Sequence, residues 1–312
     1  MKLKKYMRLP QYEVGKYQQE SLGQVQALFS QAFGGRRLSV RMLKWQMEDN
    51  PCLQKRATTL WQEDTLVAYN ALTPSYAVLD GKEVVAAVSG TTMADVHFPG
   101  ASLQLFTECA RQNRDISIIY GFPNHNSYGI TVKYLDHRYV GDVSFWTAQA
   151  VRTEASDKIK EFFSFSDEYE GISKELSKEH EFIKIRKSAF LNWRFFLKPE
   201  YEYRGFEFVD EKGKHGYIVV DIYVENEVKQ LQVVDIIADS PNVMKQLLLY
   251  SIHLAYQWSC EVVKLWLTSE NYEDVLVESG FVYGEHPFAM TVWNQDLNIK
   301  KSYITMADSD IF

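Results

Sequence analysis

The chain has 312 residues, 46% of them apolar and 14% aromatic, enough for two ordinary domains or one large one and too rich in core-forming side chains for disorder. Its formal charge of −7 and its scattered Lys and Arg leave no continuous basic stripe, so nucleic acid is not an expected partner. Cys52, Cys109 and Cys260 are odd in number, far apart and without CxxC spacing, which argues against a disulfide framework and a zinc site, and no metal is expected. No apolar run follows the basic start MKLKKYMRLPQYEVGKY, and no uncharged stretch elsewhere approaches the ~18 residues of a membrane span. The expectation is a cytoplasmic protein without a membrane partner.

Val25, Leu28, Phe29, Ala32 and Phe33 recur at helical spacing, and Gly34 with Gly35 ends that helix. A second helix begins at Ser39 and carries Met42, Leu43 and Trp45 before Asn50 and Pro51. Strand-like runs follow at residues 57–61, 66–76 and 84–96, with turn signals at Glu63-Asp64 and Asp80-Gly81. The stretch VHFPGASLQLF then joins a strand to an amphipathic helix marked by Leu103, Phe106, Thr107 and Ala110. That is the setting in which backbone N–H groups at a helix N-terminus hold a phosphate, although it contains a single glycine and Pro99 cannot donate. A short strand at 116–122, a helix at 127–135 and a last strand at 142–148 complete the unit.

The second half repeats the later part of this order. GYIVVDIYV and KQLQVVDIIA read as strands, and Met244, Leu247, Leu248, Ser251, Leu254 and Ala255 mark a helix face. EVVKLWLT reads as a strand, residues 271–278 as a helix ended by Gly280, and HPFAMTVW as the final strand. The charged segment between the halves has too few apolar residues for a core and reads as a helical or loosely ordered connector.

SGTTMADVHFPGASLQLF, IIYGFPNHNSYGITVKYLDHRYVG, FLNWRFFLKPEYEYRGF and YEDVLVESGF together resemble the GNAT superfamily of acyl-coenzyme A N-acyltransferases, in its bacterial tandem form. The resemblance implies an α/β (α+β) fold of two GNAT-like domains, each a mixed, mostly antiparallel twisted sheet flanked by helices. It divides the chain into a cofactor-binding domain at 1–150, a charged connector at 151–182 and a degenerate second copy at 183–312. It implies acetyl-CoA, or another acyl-CoA, as cofactor and a small primary amine as acceptor; a homo-oligomer is compatible with it. A β-bulge would splay residues 84–96 from 116–122 to receive the pantetheine arm, with the thioester near Met93 to Asp95.

Site residues follow from the same resemblance. Phe98, Gly100, Ala101, Ser102 and Leu103 would offer amides to the pyrophosphate, while His97 stands where the family places Arg or Gln. Met93 and Asp95 would line the pantetheine arm, with Asn124 and Asn126 as further contacts, unless those two asparagines simply cap the next helix. Asp95 is the expected base, with His97 beside it, though a lone Asp more often ends a strand. The family's acid tyrosine falls on Val132, because Asp136-His137 replaces the usual Gly-Phe pair; Tyr128, one helical turn earlier, is the nearest substitute, and Tyr134 lies out of register. The second copy has Leu276 at that position and no glycine in ADSPNVMK, so it is not expected to bind the cofactor. Trp193 and Arg194 read as a joint between the halves, and Asp308 and Asp310 as a solvated terminus. The resulting expectation is acetyl transfer to a small amine. The rivals are a non-catalytic GNAT-like binding or scaffold protein with a decayed loop, and a transferase using a carrier-bound or longer acyl donor.

Overall fold

The computed structural model describes residues 10–310 except 17, 53–55, 135–136, 155, 285–287 and 294, and it leaves out the side chains of Asn126 and Tyr134. In chain order the elements are β1 (Glu13–Lys16), α1 (Leu22–Ala32), α2 (Val40–Glu48), β2 (Arg56–Gln62), β3 (Thr65–Leu79), β4 (Lys82–Ala94), α3 (Ala101–Gln112), β5 (Ile118–Gly121), α4 (His125–Tyr134), β6 (His137–Val143) and β7 (Trp146–Gln149). There follow β8 (Ile159–Phe162), α5 (Glu168–Leu176), β9 (Phe182–Lys184), α6 (Ser188–Leu191), β10 (Arg204–Asp210), β11 (Gly213–Glu225), β12 (Val228–Ala238), α7 (Pro241–Gln257), β13 (Val262–Leu265), α8 (Glu273–Glu278), β14 (Val282–Tyr283), β15 (Phe288–Trp293) and β16 (Ser302–Tyr303). None of the described helices is long and apolar enough to cross a membrane.

Local chemistry sets most of these boundaries. Gly34 and Gly35, at φ of 63° and 85°, stop α1, and the Ser39 hydroxyl caps α2 by accepting from the Met42 amide at 3.0 Å. Asp80 and Gly81, both at positive φ, form the tight turn that fixes the register of β3 on β4. After α8 the chain closes a Schellman motif: Phe281 N donates to Leu276 O and Gly280 N to Val277 O, with Gly280 at φ 89° and the Phe281 ring fully buried.

Two mixed, mostly antiparallel sheets result. The first runs β1-β2-β3-β4-β5-β15-β6, with β9 along the far half of β3 and β16 on β9; the second runs β14-β7-β13-β12-β11-β10-β8. This is the expected class of sheet, but the pairing corrects the expected units. The run at 142–148 is not one strand. Its first part belongs to β6 in the first sheet, whereas β7 crosses over and pairs with β13, Ala148 opposite Val263. In exchange β15 enters the first sheet between β5 and β6, Thr291 opposite Gly121. A boundary at residue 150 therefore parts the chain but not the sheets.

The charged connector, read as helical or loosely ordered, holds the helix α5 and, beyond that reading, a strand and a part of the core. β8 forms an edge of the second sheet, and Phe162, Phe165 and Tyr169 bury their rings against Tyr217, with Phe165 4.9 Å from it. A few large aromatics supply the burial that the charge-rich composition concealed.

Trp193 joins the halves as expected. Its indole stacks on Trp45 of α2 at 4.4 Å and 11°, and the two exchange hydrogen bonds, Trp45 Nε1 to Trp193 O at 2.8 Å and Trp193 Nε1 to Trp45 O at 3.0 Å. Truncation removes a ring that is 2% exposed together with its hydrogen bond to Trp45 O, so Trp193→Ala should cost roughly 3–5 kcal/mol, read as a fall in the denaturant midpoint. A loss below about 1 kcal/mol would show that the stack is not structural.

Candidate functional site

β4 and β5 run parallel and pair only from Ala86 to Val88 against Ile118 to Tyr120. A Cβ built on Gly121 would lie 3.3 Å from the Ser89 carbonyl, so the strands meet closely there, and beyond it β4 continues to Ala94 without β5. On its other side β4 bulges: Tyr69 faces Met93 and Ala71 faces Gly90, leaving Thr91 and Thr92 opposite Asn70 alone, with Thr91 at φ 47°. Buried Asn70 holds this irregularity, donating to Ser89 Oγ at 2.9 Å and Thr92 Oγ1 at 2.6 Å while accepting from Cys109 at 3.1 Å. The expected fork is thus present, and it opens at Ser89.

The loop after β4 leads into α3. Gly100, at φ 83°, caps the helix, a backbone state that disfavours a side chain. Two expected donors are already engaged, Phe98 N with Asp95 O at 3.1 Å and Ala101 N with Phe98 O at 3.2 Å. The amides of Gly100, Ser102 and Leu103 donate to no group among the described residues. Tyr12 braces the loop through its hydroxyl on Pro99 O at 2.9 Å and its backbone on Gln104.

Asp95 ends β4. Its carboxylate accepts from the His97 amide at 2.9 Å and lies 2.8 Å from His97 Nδ1. Burial raises its pKa, but the His97 bonds, with help from Gln31, outweigh that and hold it below the usual carboxylate range. Met93 buries its side chain against Val25, Leu43 and Met47, on the face toward α1 and α2. Asn124 caps α4, its Oδ1 accepting from Ser127 N at 3.1 Å, while the Asn126 side chain lies outside the described set. Tyr128, in the first half of α4, packs edge-on against Tyr139 of β6 at 6.3 Å. The Tyr134 side chain and Asp136 fall outside the described residues.

The reading of a solvated terminus is overturned for Asp308, whereas Asp310 is exposed but bonded to the protein. Asp308 is 1% exposed, and its backbone carbonyl accepts from Tyr120 Oη at 2.9 Å beside the fork. Asp310 Oδ2 accepts from Thr91 N at 3.1 Å, at the bulge itself, and a Cβ on Gly90 would come within 2.5 Å of that carboxylate. Gln46 of α2 completes the corner, donating to Thr91 Oγ1 at 3.2 Å. Composition gave no sign of this, but Thr305 and Asp308 form a capping box, a T-x-x-D spacing visible in the sequence.

The second half has the same fork, filled. β12 and β13 pair from Gln230 to Val233, Val234 bulges, and the cleft beyond holds protein. Asp235 accepts from Arg186 at 3.1 Å, Thr305 at 2.8 Å and Tyr217 at 2.6 Å, and Tyr303 Oη donates to Ile236 O at 2.7 Å. At the loop position the Asp239 N–H is bonded to His215 O at 2.9 Å and its carboxylate to His215 Nδ1 at 2.6 Å, which puts a carboxylate before the start of α7.

His215 also meets Asp210 through Nε2 at 2.8 Å, and these two carboxylates, Asp239 first, raise its pKa. A raised folded pKa means stability that is fully present below the ordinary value near 6.5 and lost as pH rises through the raised one. His215→Gln should therefore lie furthest below the native protein in melting temperature under mildly acidic conditions, and the gap should close with rising pH. A gap that widened with pH would contradict the assignment.

Parallel strands fork beside a helix-capping loop in both halves, and the fold is similar to that of solved GCN5-related N-acetyltransferases. Solved structures with this fold include a GCN5-related N-acetyltransferase from Anabaena variabilis (14% identity, 90% of this chain and 72% of that chain, TM-score 0.69). A probable N-acyltransferase from Enterococcus faecalis matches at 15% identity over 91% of this chain and 72% of its own, TM-score 0.66. N-myristoyltransferase of Saccharomyces cerevisiae, solved with bound myristoyl-CoA and inhibitors, matches at 11% identity over 98% and 88%, TM-score 0.63. No family model matches the sequence, and no curated protein is significantly similar to it.

Proposed function

We propose that the chain is an N-acyltransferase that moves an acetyl group from acetyl-CoA to a small primary amine. The observation that carries the reading is the open β4–β5 fork, with three uncommitted amides at its loop end and a bulge at its base. Amides at the start of α3 suit the pyrophosphate, and the unpaired edge of β4 suits the amide groups of the pantetheine arm. The acyltransferases among its fold neighbours, one of them with an acyl-CoA bound, agree with this. The first half would hold the donor, and the filled second fork leaves no equivalent site.

The geometry moves one expected detail. From Ala94 back to Ser89 the open edge spans about 17 Å of extended chain. A donor entering at the loop would bring its thioester toward Gly90 and Thr91 rather than to Met93 and Asp95. Asp310 is the carboxylate at that end, and Asp95 stands beside the loop. Asp310 is accordingly our preferred base for the acceptor amine. Tyr128 remains the candidate acid for the departing thiolate, and Asn124 a contact for the pantetheine arm.

Calorimetry should show one acetyl-CoA per chain. Gly100→Val, which puts a β-branched side chain at φ 83° where the phosphate would approach, should weaken binding at least tenfold. Two equal sites, or unchanged affinity in a folded variant, would overturn the loop assignment.

Turnover assays sort the acid and base. Asp310→Asn and Tyr128→Phe should each lower kcat by roughly ten- to a thousandfold with little change in acetyl-CoA affinity, and Asp95→Asn by less. Tight binding without turnover on any amine would favour the binding-protein reading.

A further inference from the structure

Lys198 follows the turn that carries Trp193, and its amine sits in an aromatic cage. Nζ lies 3.6 Å from the centre of the Tyr201 ring, 5.3 Å from Tyr203 and 5.7 Å from Trp45, and it donates to Tyr203 Oη at 2.9 Å. Tyr201 and Tyr203 stack at 5.5 Å and 10°, so the two rings form one wall. The lysine is 9% exposed, whereas Tyr201 at 39% forms the side of the cage nearest solvent.

The cage and the fork are linked through shared neighbours. Trp45, which the amine faces, precedes Gln46, which bonds Thr91 at the bulge. Asp310, which accepts from the Thr91 amide, is one of two carboxylates close enough to act on the Lys198 charge; Asp221 is the other. Arg194 is the opposing cation, and Tyr201 and Tyr203 are the remaining titratable neighbours. Burial, aided by Arg194, pushes the lysine pKa down to about 5, so the amine is uncharged and nucleophilic at neutral pH. None of the reading above uses this group.

We propose that Lys198 is an internal acyl acceptor, a site at which the protein acylates itself from the donor in its own fork. The inference rests on the acyl-CoA reading of that fork. Nζ attacks the thioester carbonyl; the C–S bond breaks as the amide C–N bond forms; and the proton lost by the amine passes to the coenzyme A thiolate, giving the free thiol. The step requires the flexible four-carbon stem to carry the amine out of the cage toward the bulge. The product is a neutral amide in an aromatic pocket, which costs no buried charge.

The experiment incubates the full chain with acetyl-CoA at pH 6 and pH 8, with mass measurement of the intact protein, peptide mapping and parallel calorimetry of cofactor binding. One acetyl group per chain, mapped to Lys198, is expected. Exposed lysines, with pKa values near 10.4, become roughly a hundredfold less available between pH 8 and pH 6, whereas Lys198 stays uncharged. Its selectivity should therefore rise on acidification, by more than tenfold. Lys198→Met keeps an apolar stem in the cage and should bind acetyl-CoA within about twofold while losing the modification; mapping of the native chain reads the site even if that variant fails to fold. Acetylation spread over surface lysines, or none on a chain that binds acetyl-CoA, overturns this inference alone. Absence of binding overturns the reading of the fork, and this inference with it.

Discussion

Arg186 is the group on which the arrangement depends. Its guanidinium, 3% exposed, lies 3.1 Å from Asp235 of β12 and 3.6 Å from Asp308 of the tail, while a second nitrogen donates to Lys184 O at 2.8 Å. Burial works against its charge, but the two carboxylates outweigh it and hold the pKa well above normal. For Lys184, 3.4 Å from Asp308, the balance reverses and burial lowers the pKa. Such a cluster adds little net stability over apolar packing, because desolvation of each ion costs several kcal/mol. Its value is that no member tolerates the loss of another: removal of one partner leaves a bare buried charge at a cost of about 3–5 kcal/mol. The segments that carry these side chains, β9, β12 and residues 305–308, are thereby locked in one mutual position.

That lock explains why two similar forks have different fates. The chain after β16 crosses the second fork, where Tyr303 and Thr305 satisfy Ile236 and Asp235, and then reaches the first, where Asp308 and Asp310 meet Tyr120 and Thr91. One short segment fills the cleft of the second half and supplies a carboxylate to the first. The exchange of β7 and β15 has the same effect on the sheets, since each half borrows a strand from the other. The halves are repeats in sequence order but parts of a single structure in packing.

The sequence was informative wherever the cause is local. Gly34-Gly35, Asp80-Gly81 and the Gly280-Phe281 pair end elements through their own backbone chemistry and Ser39 caps one through its hydroxyl, and each stands where it was expected. The loop was legible for the same reason, being a strand, a glycine and a helix start in succession, whereas the fork was expected only from the family resemblance. Strand exchange was not legible, because alternation tells which face of a strand is buried and not which neighbour it pairs with. The connector and the tail were misread through composition. Charge counts register Glu and Lys on solvated faces, but not that Phe162, Phe165 and Tyr169 face inward or that Asp308 has Lys184 and Arg186 waiting for it. A buried ion is invisible until its partner, more than a hundred residues away, is known to be adjacent.

The turn at Asn192–Phe196 shows how the chain aims side chains that share no face of an ordinary helix. Its backbone is widened to a π-helical turn, with Leu197 N donating to Asn192 O at 2.9 Å. Trp193 is thereby sent to Trp45, Arg194 toward Ser309 of the tail and Phe195 into the aromatic core with Phe165, while Lys198 emerges beside the cage. The irregular backbone has its return in placement, since one short segment touches α2, the tail and both halves, and α2 in turn touches the bulge. The position of the fork's inner end is therefore set in part by packing that begins in the second half of the chain.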